Sequence, residues 1–330
     1  MNNVDSDASL RGLHVLDKTT VWASGSKGTI INTTDGGDNW TVRTVDGAED
    51  LDFRDIHAID DGTVVAMTSG TPARIYRSTN GGISWKLCYE NKDERVFLDA
   101  LSFWDDQNGI VMGDPIGEAV FLLRTTDGGR TWSQFKTAPQ ANKGEAGFAA
   151  SGTNAIALGT QKYLIALGGA EKGDSHKSSR VVMTLDRGGR WFAATVPMHR
   201  TESAGIFSLC FVDEKYGVAV GGDYQQPDAT DGNYAITSDG GRTWTSPKTK
   251  QSPSGYRSGV AVSRKGREIR LVAVGPNGTD VSLDLGKKWR KISNEGFHAV
   301  DFTSDGTIGW ATGADGRIGR WTNRFDAKQK

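Results

Sequence analysis

Only two cysteines occur in 330 residues, too few for a disulfide framework, so they say nothing about redox compartment. No apolar run reaches the roughly 18 residues that a membrane-spanning helix needs. Neither sign of charge dominates. Lys and Arg number 39, Asp and Glu 40, and the net charge is −1. The basic residues are dispersed, which argues against a nucleic-acid partner. Met1-Asn2-Asn3-Val4-Asp5 lacks the charged start and apolar stretch of a signal peptide. The expected location is therefore cytoplasmic, or extracytoplasmic (periplasmic or secreted) if a leader has been removed. No Gly-x-x-x-x-Gly-Lys-Ser/Thr string is present to cradle phosphate. The five histidines show no His-x-x-x-His spacing and the cysteines no Cys-x-x-Cys, against a zinc site. Asp228 to Asn233 gathers side-chain oxygens near Gly232 but lacks the order and closing Glu of a calcium loop. No metal and no cofactor is expected.

Glycine, in contrast, is abundant, with 43 of 330 residues. It recurs inside one pattern, Ser/Thr-x-Asp-x-Gly-x-x-Trp. The copies are Thr33 to Trp40, Ser78 to Trp85 (Asn80 replacing Asp), Thr125 to Trp132, Thr184 to Trp191, Thr237 to Trp244 and Ser282 to Trp289, with the tryptophans 45 to 59 residues apart. Such a period marks a radial or stacked repeat. Each copy sits between β-branched or apolar runs, as in Thr29-Ile30-Ile31-Asn32-Thr33 and Trp40-Thr41-Val42, so it is a hairpin. The Asp carboxylate is expected to accept turn N–H groups, the Gly to supply positive φ, and the Trp to anchor the hairpin. A second pair of strands precedes each hairpin, such as Leu13 to Leu16 with Val21 to Gly25.

The unit is thus four short strands, a to d, and the fold class is all-β. The expectation is a seven-bladed β-propeller of four-stranded antiparallel blades in one domain. The blades cover about 10–46, 51–91, 97–137, 148–197, 205–248, 256–293 and 297–323. The seventh lacks an outer strand, and residues 1–9 are the candidates to close the ring. Cys88 falls in an outer strand and Cys210 in an inner one, so two free thiols are expected.

The pattern itself is the Asp-box shared by sialidase-type glycosidases and other propellers. Val21-Trp22-Ala23-Ser24-Gly25-Ser26-Lys27-Gly28-Thr29-Ile30, running into the first box, and Gly309-Trp310-Ala311-Thr312-Gly313-Ala314-Asp315-Gly316-Arg317-Ile318 add more. These segments resemble the photosystem II stability/assembly factor family, and are similar to its bacterial, non-photosynthetic branch. The resemblance runs at repeat level over nearly the whole chain. It implies a seven-bladed propeller, usually exported, that binds a partner protein through an arginine-bearing face. The chain departs from that pattern in insertions at 168–180 and 221–233 and in the missing leader.

Propeller geometry puts the d–a and b–c loops on one face and the Asp-box hairpins on the other, so the box aspartates are turn residues. Aligning the starts of the a strands gives a polar ring: Arg11, Arg54, Asp99, Ser151, Ser208, Arg257 and His298. Because blade seven adjoins blade one, Arg257, His298, Arg11 and Arg54 are expected to form one basic arc. Clustered guanidiniums favour a carboxylate or phosphate. The alternative is pairing with local acids, as of Arg54 with Asp55 or Asp99. Asp114, Asp223 and Tyr224 join from b–c loops, His176 from the long blade-four loop, and Glu145, His199, Glu202 and Tyr256 from d–a loops. The leading reading is a monomeric binding or assembly module for a partner-protein segment or an acidic small molecule. The rival is a sialidase- or lyase-like enzyme on an acidic glycan. There Asp99, Asp114 or Asp223 would be acid/base and Tyr256 or Tyr224 the nucleophile.

Overall fold

The structure, a computed structural model, describes residues 2–172, 178–249 and 251–321. All regular elements among them are β-strands, arranged as seven antiparallel blades around a central channel. The innermost strands are Leu10–Val15, Asp52–Ala58, Leu98–Phe103, Ala155–Leu158, Ala204–Phe211, Gly259–Lys265 and Ala299–Phe302. Six blades have four strands. The fifth has three, its outer strand reduced to one bridge between Ile236 and Thr245. Pro247 lies two residues on and has no N–H with which to extend that ladder. The outermost strand of blade seven is Asn2–Asn3, which pairs with Ile318 and Arg317.

The Asp-box works through short-range bonds. In all six copies the Ser/Thr hydroxyl accepts the N–H of the glycine four residues on, at 2.8–3.0 Å. The Asp or Asn Oδ1 accepts the N–H of its own fourth neighbour, at 2.9–3.0 Å. The repeated glycine answers two demands at once. Gly37 has φ 88°, and a Cβ there would lie 2.1 Å from the Trp310 ring of the neighbouring blade. Each box therefore closes its hairpin and docks it on the preceding blade. Buried apolar side chains form one cluster per blade–blade interface. Trp22 and Ile30 with Phe53, Val64 and Tyr76 is one, and Leu10, Val21 and Ile31 with Trp310 and Ile318 is another.

Inner strands leave N–H groups facing the channel without a strand partner, and buried amides need acceptors. Side chains of adjacent blades supply them. Val15 N–H donates to Asp301 (2.7 Å), Ala58 N–H to His14 Nδ1 (2.7 Å), and Leu101 N–H to Asp55 (2.7 Å). Ala157 N–H donates to Ser102 (2.9 Å) and Val260 N–H to Ser208 (3.0 Å). Much of the polar channel lining thus stitches blade to blade.

Candidate mouth of the channel

Strand register fixes which end of the channel is which. Leu10 pairs with Gly25 at one end, and Val15, Val21 and Thr33 line up at the other, next to the first Asp-box. The a-strand starts and the b–c turns therefore share the face opposite the boxes.

A β-bulge recurs at the start of the inner strand. The ladder skips one residue between Leu10 and Gly12, between Phe53 and Asp55, between Leu98 and Ala100, and between Ile206 and Ser208. Bulges re-aim a side chain, and the residues skipped are Arg11, Arg54, Asp99 and Phe207. Blade five is therefore one residue out of the expected alignment. Phe207 holds the ring position, and the Ser208 hydroxyl is spent on Thr153 and Val260.

Blade six needs the same correction. The N–H of Leu10, Arg257 and Phe297 each reaches the carbonyl of a glycine at or near the end of the preceding blade's second strand: Gly313 (2.9 Å), Gly221 (2.9 Å) and Gly275 (3.1 Å). Arg257 thus stands where other blades bury Leu10 or Phe297. It is fully buried. Its Nε donates to Asp280 (2.6 Å), Nη1 to Tyr256 O (2.7 Å) and Asn277 (2.6 Å), and Nη2 to Ser254 (2.7 Å) and Asp280. With every nitrogen committed to protein acceptors, Arg257 leaves the arc. Ser258 takes the ring position, its hydroxyl donating to His298 O at 2.7 Å.

His298 is at the mouth but not as a cation. Burial, then Arg11, Arg54 and Arg317, pull its pKa down to about 3. The same contacts identify a residue missing from the aligned ring. Arg317 opens the third strand of blade seven, after the tight turn at Asp315 and Gly316, and donates to Gly296 O at 2.7 Å. The signal in the sequence was the b–c turn Ala314-Asp315-Gly316-Arg317. Arg54 is held by Asp52 through Nε (2.6 Å) and by Ala149 O through Nη1 (2.7 Å), not by Asp55 or Asp99. Arg11 is partly buried and, among the described residues, has no hydrogen-bond or ion-pair partner. Burial and then Arg54 lower its pKa, while Asp52 and Tyr256 oppose them. Facing this basic side is an aromatic wall. Phe148 and Phe207 stack with centroids 4.0 Å apart, and Tyr256 and Tyr224 meet Phe207 edge-on at 4.7 and 6.3 Å.

The acidic residues are largely committed or covered. Asp99 is 1% exposed and its Oδ2 is unpartnered, and Asp114 accepts Gly147 N–H at 2.8 Å. Burial raises both carboxyls, Asp114 to about 6 and Asp99 well above its ordinary range, and Asp114 adds to the rise at Asp99. Burial also pushes the Tyr256 phenol well above its ordinary range, so it is a poor nucleophile. Asp223 is tied into a rim turn with Gln225 N–H (2.9 Å) and Gln226 (3.2 Å), beside exposed Tyr224. Glu145 is buried in an ion pair with Arg180, and His199 pairs with Asp231 at the surface. His176 lies outside the described residues.

Residues 150–153, expected to start the inner strand of blade four, are irregular; that strand begins at Ala155. Gly152, at φ 73°, turns the chain across the mouth, where a Cβ would lie 2.3 Å from the Asp55 carboxyl.

The family model described as Photosynthesis system II assembly factor YCF48 matches residues 2–92. The sequence matches no curated relative. Among solved structures, a YCF48 bound to a D1 peptide aligns at TM-score 0.61 and 16% identity, covering 97% of this chain and 94% of its own. YCF48 from Cyanidioschyzon merolae aligns at 0.60 and 16%, covering 96% of each. The GH74 xyloglucanase from Xanthomonas campestris aligns at 0.63 and 15%, covering 96% of this chain, which spans only 52% of the xyloglucanase. At these identities the structures share the fold, and the sequence likeness rests on the first 92 residues. The chain is a seven-bladed Asp-box β-propeller similar to the photosystem II assembly factor YCF48 family.

Proposed function

We propose that the protein is a binding propeller with an assembly role, whose channel mouth receives an acidic segment of a partner protein on Arg11, Arg54 and Arg317. The observation that carries this is Arg11: partly buried, beside a second guanidinium, and without an acceptor among the described residues. A guanidinium in that setting favours a carboxylate, which can accept two parallel N–H bonds. Phe207, Tyr256 and Tyr224 would pack an apolar or aromatic side chain next to that carboxylate. The YCF48 solved with a D1 peptide is a precedent for a propeller of this fold taking a peptide.

The glycan-cleaving alternative needs two carboxyl groups flanking an open cleft. Asp99 is covered and Asp114 is tied to Gly147 N–H, which removes support for it.

The test is a fluorescence-polarisation titration with a labelled eight-residue Asp/Glu-rich peptide. Charge-assisted hydrogen bonds contribute about 1.5–3 kcal/mol each. Arg11→Ala and Arg54→Ala should therefore each weaken binding by at least about tenfold, and the double variant should abolish it. Raising salt should weaken wild-type binding. Unchanged affinity in the double variant would refute the proposal.

A further inference from the structure

The connection from blade three to blade four is long. It runs through residues 135–154, whereas the neighbouring d–a connections are 45–51, 92–97 and 200–203. Loops of such length without secondary structure are uncommon in compact domains and usually functional. A short link would join these adjacent blades, yet this one detours into the channel mouth.

Its inner part, residues 147–152, reaches four other blades. Gly147 N–H donates to Asp114 of blade three, and the Ala149 carbonyl accepts from Arg54 of blade two. The Phe148 ring stacks on Phe207 of blade five. The Ser151 hydroxyl donates to Ser258 O of blade six at 2.7 Å. Gly147, Ala149, Ala150, Ser151 and Gly152 are all buried.

The two ends of this segment differ from its middle. The outer end is anchored. Buried Glu145 accepts from Arg180 Nε (2.7 Å), Asn142 N–H (2.6 Å) and Asn142 Nδ2 (3.1 Å). Ala146 belongs to that anchor, exchanging two backbone bonds with Gly168 of blade four (2.9 and 3.0 Å), and the middle is Gly147-Phe148-Ala149-Ala150-Ser151, with Phe148 its one large side chain. Glycines in left-handed conformation flank it, Gly144 at φ 72° and Gly152 at φ 73°. Of these only Gly152 lies beyond the anchored end, and there the positive φ lets the chain turn where a β-carbon would make the turn costly.

We infer that residues 147–152 are a built-in occupant of the mouth, a strap that holds Arg54 through the Ala149 carbonyl until an acidic partner segment displaces it. This rests on reading the mouth as the acidic-segment site. The Ala149 carbonyl is a neutral acceptor, and a carboxylate forms the stronger, charge-assisted bond to the same Arg54 donor. Apparent affinity equals intrinsic affinity scaled by the open fraction, so a strap closed ten to one weakens binding about tenfold.

The experiment uses the full chain, the acidic peptide above, and Phe148→Ala, which removes the ring contact with Phe207 but no arginine contact. Asp114→Ala is a second variant, releasing Gly147, and thermal melts establish that both fold. Hydrogen–deuterium exchange without peptide comes first. Amides of 147–152 should exchange at least about a hundredfold faster than those of the inner strands, because the strap opens alone. Equal protection overturns the strap whatever the peptide does. The peptide should bind Phe148→Ala and Asp114→Ala about tenfold more tightly than wild type, and should speed strap exchange in wild type. If those variants bind as wild type does while Arg11→Ala abolishes binding, the gate is refuted and the binding mouth stands. If no variant binds, both fall together.

Discussion

Replacing Arg257 by leucine restores the residue that blade one carries at the same place, and leaves Asp280 buried without its cation. Asp280 is itself in the position of Ile31. In blade six Val260 pairs with Ala273 and Ala273 with Asp280, as in blade one Leu13 pairs with Ala23 and Ala23 with Ile31. Leu10 and Ile31 share one apolar cluster, so blade six has an ion pair where blade one has hydrocarbon. Side-chain exposure is 0% for Arg257 and 1% for Asp280. Breaking such a buried pair costs about 3–5 kcal/mol, because the remaining charge stays desolvated, whereas replacing both partners is often neutral or stabilising. Arg257→Leu and Asp280→Ile should each destabilise by about 4 kcal/mol, and the double variant should recover most of that. For a 330-residue chain the unfolding entropy is about 0.7 kcal/mol per kelvin, so each single variant should lose about 6 °C in Tm. The assay is a thermal melt of the wild type, the two single variants and the double variant, read as a double-mutant cycle. Acidic-peptide affinity of the folded variants should stay within about twofold of wild type. Single variants that melt within about 1 °C of wild type, or an Arg257→Leu that folds normally and loses the peptide, would show that the arginine belongs to the mouth after all.

Other consequences are equally open to measurement. Asp127→Ala removes the acceptor for Thr131 N–H and hydroxyl in the third Asp-box and should cost about 1–2 kcal/mol in a denaturant melt. Peptide binding should not change, since the boxes are on the far face. Asp114, raised by burial to about 6, holds its proton longer in the folded protein than in the unfolded chain. Its contribution is therefore complete below about pH 4 and is lost as pH rises through about 6. Asp114→Asn removes that loss, so its stability relative to wild type should climb between pH 4 and 7 by up to about 3 kcal/mol and then level off. A gap that does not change with pH would contradict the burial argument. His298, held to about 3, is neutral throughout this range, so His298→Gln should leave peptide affinity at pH 6 and pH 7 within about twofold.

The sequence determined the architecture. An Asp-box closes within eight residues through its own hydroxyl, carboxylate and backbone groups, so its chemistry is local and its recurrence counts blades directly. Six boxes and one boxless set of strands yielded seven blades and the face on which the hairpins lie. It also led to Arg11, Arg54 and His298, because those three blades keep the expected phase. Tertiary structure decided the rest. A one-residue offset is invisible in a run of alternating apolar residues, yet it puts Phe207 rather than Ser208 at the mouth and Arg257 in the core against Asp280. Arg317 enters from a different strand of its blade, so no alignment of inner strands could include it. The strap is a loop whose partners lie on four other blades, one of them more than a hundred residues away, as Ser151 is from Ser258. Local bonding rules can be read along a chain. Burial and charge pairing depend on which side chains the closed ring brings face to face.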